Sequence, residues 1–376
     1  MKNIGIYIHF PFCKSKCKYC NFNSYANKND LQLDYFKSLI KEINMYRNSS
    51  INVDSVFIGG GTPSTMFNGC ISTLISELRK NFNILPDAEI TIEANPNSIT
   101  KSKVIEWKDA GVNRVSVGLQ SIKQSTLKLI GRTHTKQDYI NSINAIKDGG
   151  IKNINTDCLI GLPRQKQSDV KKMLSLILKM QCTHVSVYSL ILEEDTPLYK
   201  MVNSGEICLP SDEKTLGFYD FAYKYLKTHG YNRYEVSNFA REDCECRHNL
   251  NTWRLHEYLG FGAGAHGYFD NVRYNNISAI EQYITLLENN QKPIEKSENL
   301  TLQDKFEESV MLGLRTKDGI DLEYIKKEFD EDLLISKKSQ IEYLLNNQLI
   351  EIQNNHLYAT AEGFHVLNKI ILDLVY

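Results

Sequence analysis

A chain of 376 residues, 42% hydrophobic and 24% charged, has the composition of a soluble globular protein and the length for two or three domains. Its net charge of −1 gives no overall attraction to nucleic acid or to an anionic surface. No apolar run approaches the ~18 residues a transmembrane helix needs, and nine cysteines, an odd count, fit reduced thiols better than a disulfide framework. The first predicted element is a buried strand over Ile4–Phe10, rich in β-branched residues and stopped by Pro11, which cannot donate to a ladder. This apolar stretch has only the length of a signal peptide. It runs into a polar loop without a small-residue cleavage site, so a cytoplasmic protein is expected. The loop carries Cys13, Cys17 and Cys20. Thiolates at this spacing suit an iron–sulfur centre or zinc, and ordinary unliganded cysteines are the third reading. Structural zinc usually takes four ligands, often from paired C-x2-C units. Here Phe22 stands where a fourth nearby thiol would be, and no second C-x-x-C follows. Three thiolates on a four-iron cube would leave one iron open to a substrate or cofactor.

Strands are predicted next at Ser55–Ile58, Glu89–Ala94, Arg114–Gly118, Asn153–Leu159 and His184–Leu190. Helical segments at Leu31–Arg47, Ile71–Phe82, Lys101–Asp109, Ser121–Lys147 and Val170–Met180 separate them, with apolar residues three and four apart, as in Leu39, Ile43 and Tyr46. Repeated βα units predict an α/β fold with a parallel sheet and right-handed crossovers, and six of them fit an open, partial barrel. Function in such folds gathers at the carboxyl ends of the strands. Unusual residues cluster there: Gly59-Gly60-Gly61-Thr62-Pro63, Glu93-Ala94-Asn95-Pro96, Gly118-Leu119-Gln120-Ser121 with Gly131-Arg132-Thr133, and Asp157 with Gly161-Leu162-Pro163. Any one of these is ordinarily a turn, a cap or a solvated loop; their recurrence after successive strands points to a shared site.

Beyond the barrel, Ser211–His229 reads as an amphipathic helix with Phe218, Phe221 and Tyr225 on one side. The following stretch, Tyr234–Tyr268, is dense in histidine, cysteine, aromatics and glycine. Its GFGAGA run lacks the βαβ context of a dinucleotide fingerprint, so its glycines are expected to let backbone pack closely at the barrel mouth. His248-Asn249 with Trp253 could supply an axial haem ligand and a stacking ring, or could be a satisfied structural histidine beside a packing tryptophan. Cys244 and Cys246 are alternative soft ligands or reduced thiols. From about Ser297 short helices (Lys305–Leu314, Asp321–Phe329, Ser336–Leu345), a hairpin around Asn354-Asn355 and a last helix from Glu362 predict a winged-helix-like α+β module. Residues 301–376 hold 8 Lys/Arg against 14 Asp/Glu, a net of −6. That is not a nucleic-acid footprint, and a lid or docking role is expected. The predicted units are 1–230, 231–296 and 297–376. His134 and His184 are read as structural or solvated.

The cysteine loop with its flanking motifs resembles the radical S-adenosylmethionine (SAM) superfamily. Within it, the chain resembles the branch of oxygen-independent coproporphyrinogen III oxidase and its relatives, the HemW-type haem chaperones. The resemblance implies a partial (β/α)6 barrel and a 4Fe–4S cluster on Cys13, Cys17 and Cys20. It further implies SAM chelated to the open iron, where one electron would cleave it to methionine and a 5′-deoxyadenosyl radical. Tyr7 matches the tyrosine of the branch's YxHxPFC motif. Gly60, Gly61 and Thr62 match its GGTP element, and Glu93, Gln120, Arg132 and Asp157 match polar residues lining its SAM pocket. His248, Asn249 and Trp253 match the haem-chaperone element HNxxYW, with Thr252 in place of the tyrosine. Two features separate the chain from the oxidase: Phe22 replaces the fourth cysteine, and the first strand begins at residue 4 with no N-terminal extension. The resemblance therefore implies a haem chaperone that carries haem as cargo to respiratory haem proteins, with peripheral membrane contact among its expected partners. The oxidase, or a radical SAM methylase or haem-degrading enzyme, is the alternative.

Overall fold

The computed structural model describes residues 3–376. Six parallel strands form the centre: β1 (Asn3–Phe10), β2 (Asn52–Gly60), β3 (Asn83–Ala94), β4 (Arg114–Gln120), β5 (Asn153–Ile160) and β6 (His184–Ser189). Helices α1 (Gln32–Met45), α2 (Cys70–Asn81), α3 (Lys101–Ala110), α4 (Gln124–Leu129), α5 (Lys136–Asp148) and α6 (Gln167–Lys179) connect them. Both faces of these strands are covered, but by different chemistry. On β1, Ile4, Ile6 and Ile8 are buried in the apolar core. The alternate residues Gly5, Tyr7 and His9 turn to the inner face, as a period of two requires. Register places Ser55 beside Glu89, Glu93 beside Ser116, and Gly118 beside Asp157, which makes the inner face polar.

The sheet continues past the six strands on both sides. Helices α7 (Pro197–Asn203) and α8 (Asp212–Lys227) lead to β7 (Asn232–Arg233) and β8 (Asn238–Ala240), which lie beyond β6. The short helix α9 (Arg247–Trp253) precedes β9 (Tyr258–Phe261), which pairs with the free edge of β1 in parallel. Strands β10 (His266–Phe269), β11 (Val272–Asn276) and β12 (Ile294–Asn299) then add antiparallel, giving twelve strands in one sheet. A separate apolar cluster from Phe306 to Leu374 forms the C-terminal unit around a three-stranded sheet, β13 (Ile320–Asp321), β14 (Ile350–Gln353) and β15 (His356–Ala359). Asn354 and Asn355, both at positive φ (49° and 65°), close its hairpin as expected.

Two sequence expectations need correction. The helix expected over Ser121–Lys147 is two helices, α4 and α5. Gly131 at φ 80° ends the first, and Thr135 starts the second with a capping box to Asp138. Strands β9–β12 have no counterpart in the sequence reading, because glycines and polar residues break their alternation.

Candidate functional site

The cysteine loop is fixed at the carboxyl end of the barrel by backbone hydrogen bonds on several sides. Cys13 N–H donates to Tyr25 O, and Gly61 N–H and Thr62 N–H donate to Phe10 O and Phe12 O. Lys18 bridges two neighbours, its N–H to Ile130 O and its carbonyl to Leu198 N–H. A Cβ on Gly61 would stand 2.6 Å from Phe12 O, so only glycine permits this approach. The thiols meet hydrogen-bond donors: Thr62 Oγ1 lies 3.5 Å from Cys13 Sγ, and Arg132 Nη1 lies 3.6 Å from Cys17 Sγ. Burial raises the Cys13 and Cys20 thiols above their ordinary range. Among the described residues no three His, Cys, Asp or Glu side chains are gathered as one ion's ligand set, whereas thiolates that each hold a different iron of a cube stand further apart.

Arg132 links this loop to the strand ends. Its Nη1 donates to Asn95 Oδ1 at 2.8 Å and its Nη2 to Gly118 O. Asn95 Nδ2 donates to Thr62 Oγ1 at 3.0 Å. Glu93 Oε2 accepts from Gly60 N–H at 3.1 Å; burial and then the charge of Asp157 push its pKa up to about 8. Asp157 accepts from Ser116 and Asn155, and burial raises it as well. Tyr7 donates to or accepts from His9 Nδ1 at 3.0 Å. Gln120 sits at φ 62°, unusual for a residue with a side chain. Of the expected SAM residues, Tyr7, Glu93, Gln120 and Asp157 lie on β1, β3, β4 and β5, Gly60 ends β2, and Gly61, Thr62 and Arg132 lie in the loops above them. Gln120 Oε1 and Arg132 Nε are buried without a hydrogen-bond partner. Orphaned polar atoms beside three thiols, a backbone-exposing glycine run and two carboxylates are a donor and acceptor set that fits a cluster and a polar, zwitterionic ligand.

The haem-candidate residues lie elsewhere. Helix α9 closes the amino end of the barrel, and the His248 ring (6% exposed) enters between the starts of β1 and β2. It stacks on Phe57 at 5.4 Å, with Tyr7 beyond at 6.5 Å and Tyr258 edge-on at 6.3 Å. Its Nδ1 lies 3.2 Å from Ser55 Oγ. Burial and the positive charge of Arg114, opposed by Glu89, bring its pKa down to about 4, so the ring is neutral at physiological pH. Asn249 and Trp253 are half-buried on the same helix. Thus the structure separates His248 from the cysteine loop and does not gather the two candidate sites.

Several residues of this interior escaped the sequence reading. Glu89 accepts from Arg247 N–H at 3.0 Å, His248 N–H at 3.3 Å and Cys246 Sγ at 3.3 Å, which caps α9. Arg114 is 1% exposed, and its Nε has no partner. Asn155 and Tyr234 complete the network with His184, read from sequence as structural or solvated. A signal was present: Glu89, Thr91 and Glu93 alternate on one strand, so a second carboxylate had to share the inner face with the first.

The chain matches the Radical SAM superfamily over residues 7–177 and the HemN C-terminal domain over residues 300–366. It is 32% identical over 367 residues to the heme chaperone HemW of Bacillus subtilis (strain 168), covering 97% of both chains. It is 33% identical over 374 residues to the protein of the same name from Lactococcus lactis subsp. lactis (strain IL1403), covering 98% of this chain and 97% of the relative. Among solved structures, the coproporphyrinogen III oxidase HemN from Escherichia coli, a radical SAM enzyme, shares the fold with a TM-score of 0.86 at 22% identity, over 99% of this chain and 90% of that one. Membership of the superfamily implies a 4Fe–4S cluster and SAM. With the same two domains in order and about a third of its residues shared along nearly its full length, the chain belongs to the HemW family of radical SAM proteins.

Proposed function

We propose that the protein is a haem chaperone on a radical SAM scaffold, with Cys13, Cys17 and Cys20 holding the cluster and His248 ligating the cargo. The observation that carries this is the full-length likeness to proteins named for haem chaperoning. When bound, the cluster supplies an electron to SAM. The chain's own residues do the rest. Thr62 and Arg132 donate to the thiolates of Cys13 and Cys17 and steady their charge. Gly60 and Gly61 offer backbone to the methionine end of SAM, while Arg132 and Gln120 bring the orphaned donor and acceptor that its polar groups satisfy. Tyr7, Glu93 and Asp157 line the inner face below. Glu93 stays protonated up to about pH 8 and can donate as well as accept.

Haem at His248 requires α9 to move, because Phe57, Tyr7 and Tyr258 enclose the ring in the closed form. A neutral imidazole is the ligating form, and Asn249 and Trp253 flank it. On this proposal residues 1–230 carry the cluster and SAM, residues 231–296 the cargo ligand, and residues 297–376 a docking module. The recipients are respiratory haem proteins, reached by peripheral membrane contact from the cytoplasm. Among the described residues no helix is long and apolar enough to cross a membrane. The test titrates haem into the reconstituted full chain and into His248→Ala. A Soret band that depends on His248, without turnover of coproporphyrinogen III, supports the proposal. Formation of protoporphyrinogen replaces it with the oxidase reading, which the shared HemN fold favours.

A further inference from the structure

Between the two ends of the barrel the buried polar side chains form a directed chain. Asn155 Nδ2 donates to Asp157 Oδ1 at 2.7 Å. With its nitrogen committed to a carboxylate, Asn155 presents Oδ1 as an acceptor to His184 Nδ1 at 2.6 Å. His184 is fully buried, and burial followed by the charge of Arg114 holds it neutral. Its proton therefore sits on Nδ1, and Nε2 accepts from the Tyr234 hydroxyl at 2.7 Å. Tyr234 Oη accepts in turn from the backbone N–H of Cys246, the residue before α9, at 3.2 Å. All donors point the same way, from the start of α9 to the carboxylate of Asp157, an arrangement in which each bond polarises the next. Asn155, His184, Tyr234 and Cys246 are each no more than 3% exposed, so water does not compete for these bonds.

In the structure α9 is seated: it takes the hydrogen bonds of Glu89 and Tyr234 and encloses His248. Displacing it would free His248 and loosen the chain that orients Asp157. We infer that SAM at Asp157 and the seated helix α9 stabilise each other through Asn155, His184 and Tyr234, so that SAM keeps the haem ligand enclosed and haem ligation weakens SAM. The inference rests on the SAM and haem sites proposed above, and linkage makes the effect reciprocal.

The first test needs no haem. Hydrogen exchange of the amides of residues 246–253 is measured in the cluster-reconstituted full chain with and without SAM. SAM slows exchange by about five-fold or more, the lower range of ordinary coupling. In Tyr234→Phe, which removes only the hydroxyl, SAM still binds and the slowing disappears; Asn155→Ser breaks the chain independently should that variant fold poorly. Equal exchange with and without SAM in the wild type overturns the coupling, and slowing that persists in both variants overturns this route for it. The underlying sites fail separately: SAM affinity unchanged in Asp157→Ala removes the SAM site, and a Soret band unchanged in His248→Ala removes the haem site while leaving the exchange result standing. With both sites upheld, the haem Kd rises about five-fold or more on adding SAM, and an unchanged Kd overturns the reciprocal effect.

Discussion

At the carboxyl end of the barrel, Gln120 Oε1 and Arg132 Nε are buried with nothing to bond, and glycines bring bare backbone up to the thiol loop. At the amino end, Glu89 collects donors from Thr91, Cys246, Arg247 and His248, and His248 is wedged on Phe57 beside Ser55. One end leaves polar atoms unbonded around the thiol loop; the other binds its carboxylate and its histidine into the fold and leaves Arg114 Nε without a partner. The difference teaches that residue type alone does not mark a binding site. A histidine with its neighbours satisfied is closed until something displaces them, whereas an orphaned acceptor beside a positive-φ turn waits for a ligand.

The largest expected effect separates the ends completely. Cys17→Ala abolishes incorporation of iron and sulfide, read by metal and sulfide analysis, yet leaves the His248-dependent Soret band in place; loss of both together breaks the separation. Gly61→Ala drives a Cβ against the Phe12 carbonyl and destabilises the carboxyl end by about 1–3 kcal/mol, read by thermal unfolding, with SAM affinity falling in parallel. Glu89→Ala strips the cap from α9 and costs about 2–3 kcal/mol, with amide exchange quickened in residues 246–253.

The pH dependence of the metal-free chain sharpens the contrast, because its two ends respond with opposite signs. His248 titrates near 4 in the fold against an ordinary 6.5, so its contribution is full above 6.5 and is lost as the pH falls towards 4. Glu93 titrates near 8 against 4.5, so its contribution is full below 4.5 and is lost as the pH rises towards 8. Denaturant unfolding across this range should show His248→Phe flattening the acid limb and Glu93→Gln the other; a single variant that flattens both contradicts the separation. The smallest effect is that of Thr252→Tyr. Thr252 is exposed, with its hydroxyl donating to His248 O, so restoring the family's tyrosine changes stability by no more than about 0.5 kcal/mol. Its haem affinity, measured by the same titration, rises no more than a few-fold.

The central strands and most of their helices were legible because they bury an apolar face with a clear period: Ile4, Ile6 and Ile8 on β1, or Leu39 and Ile43 on α1. The cysteine loop stood out by its spacing, which left iron–sulfur, zinc and free thiols open until the family resemblance was added. The edge strands β9–β12 were not legible, because Gly260 and Gly267 within them, and Gly262 between them, serve close backbone packing rather than alternation: a Cβ on Gly262 would meet His9 O and Tyr35 Oη. The expectation that these glycines pack at the barrel mouth holds for Gly262 and Gly264, the latter against Asn23. The burial of His248 was hidden because its enclosure comes from β1 and β2 near the start of the chain as well as from β9, residues 258–261. Arg114 and Glu89 were passed over because charge at the start of a strand ordinarily means solvent, and only closure of the barrel turns them inward.

Strand β1 sits between β2 and β9, so its second neighbour arrives only with residues 258–261. During synthesis the chain carries its thiols behind a strand with one unpaired edge until more than two-thirds of its length has emerged. The Tyr35 hydroxyl, which joins His9 O to Ala263 N–H, is completed at the same late moment. The seam beside the cysteine loop therefore cannot close on the ribosome before residues 258–263 have emerged.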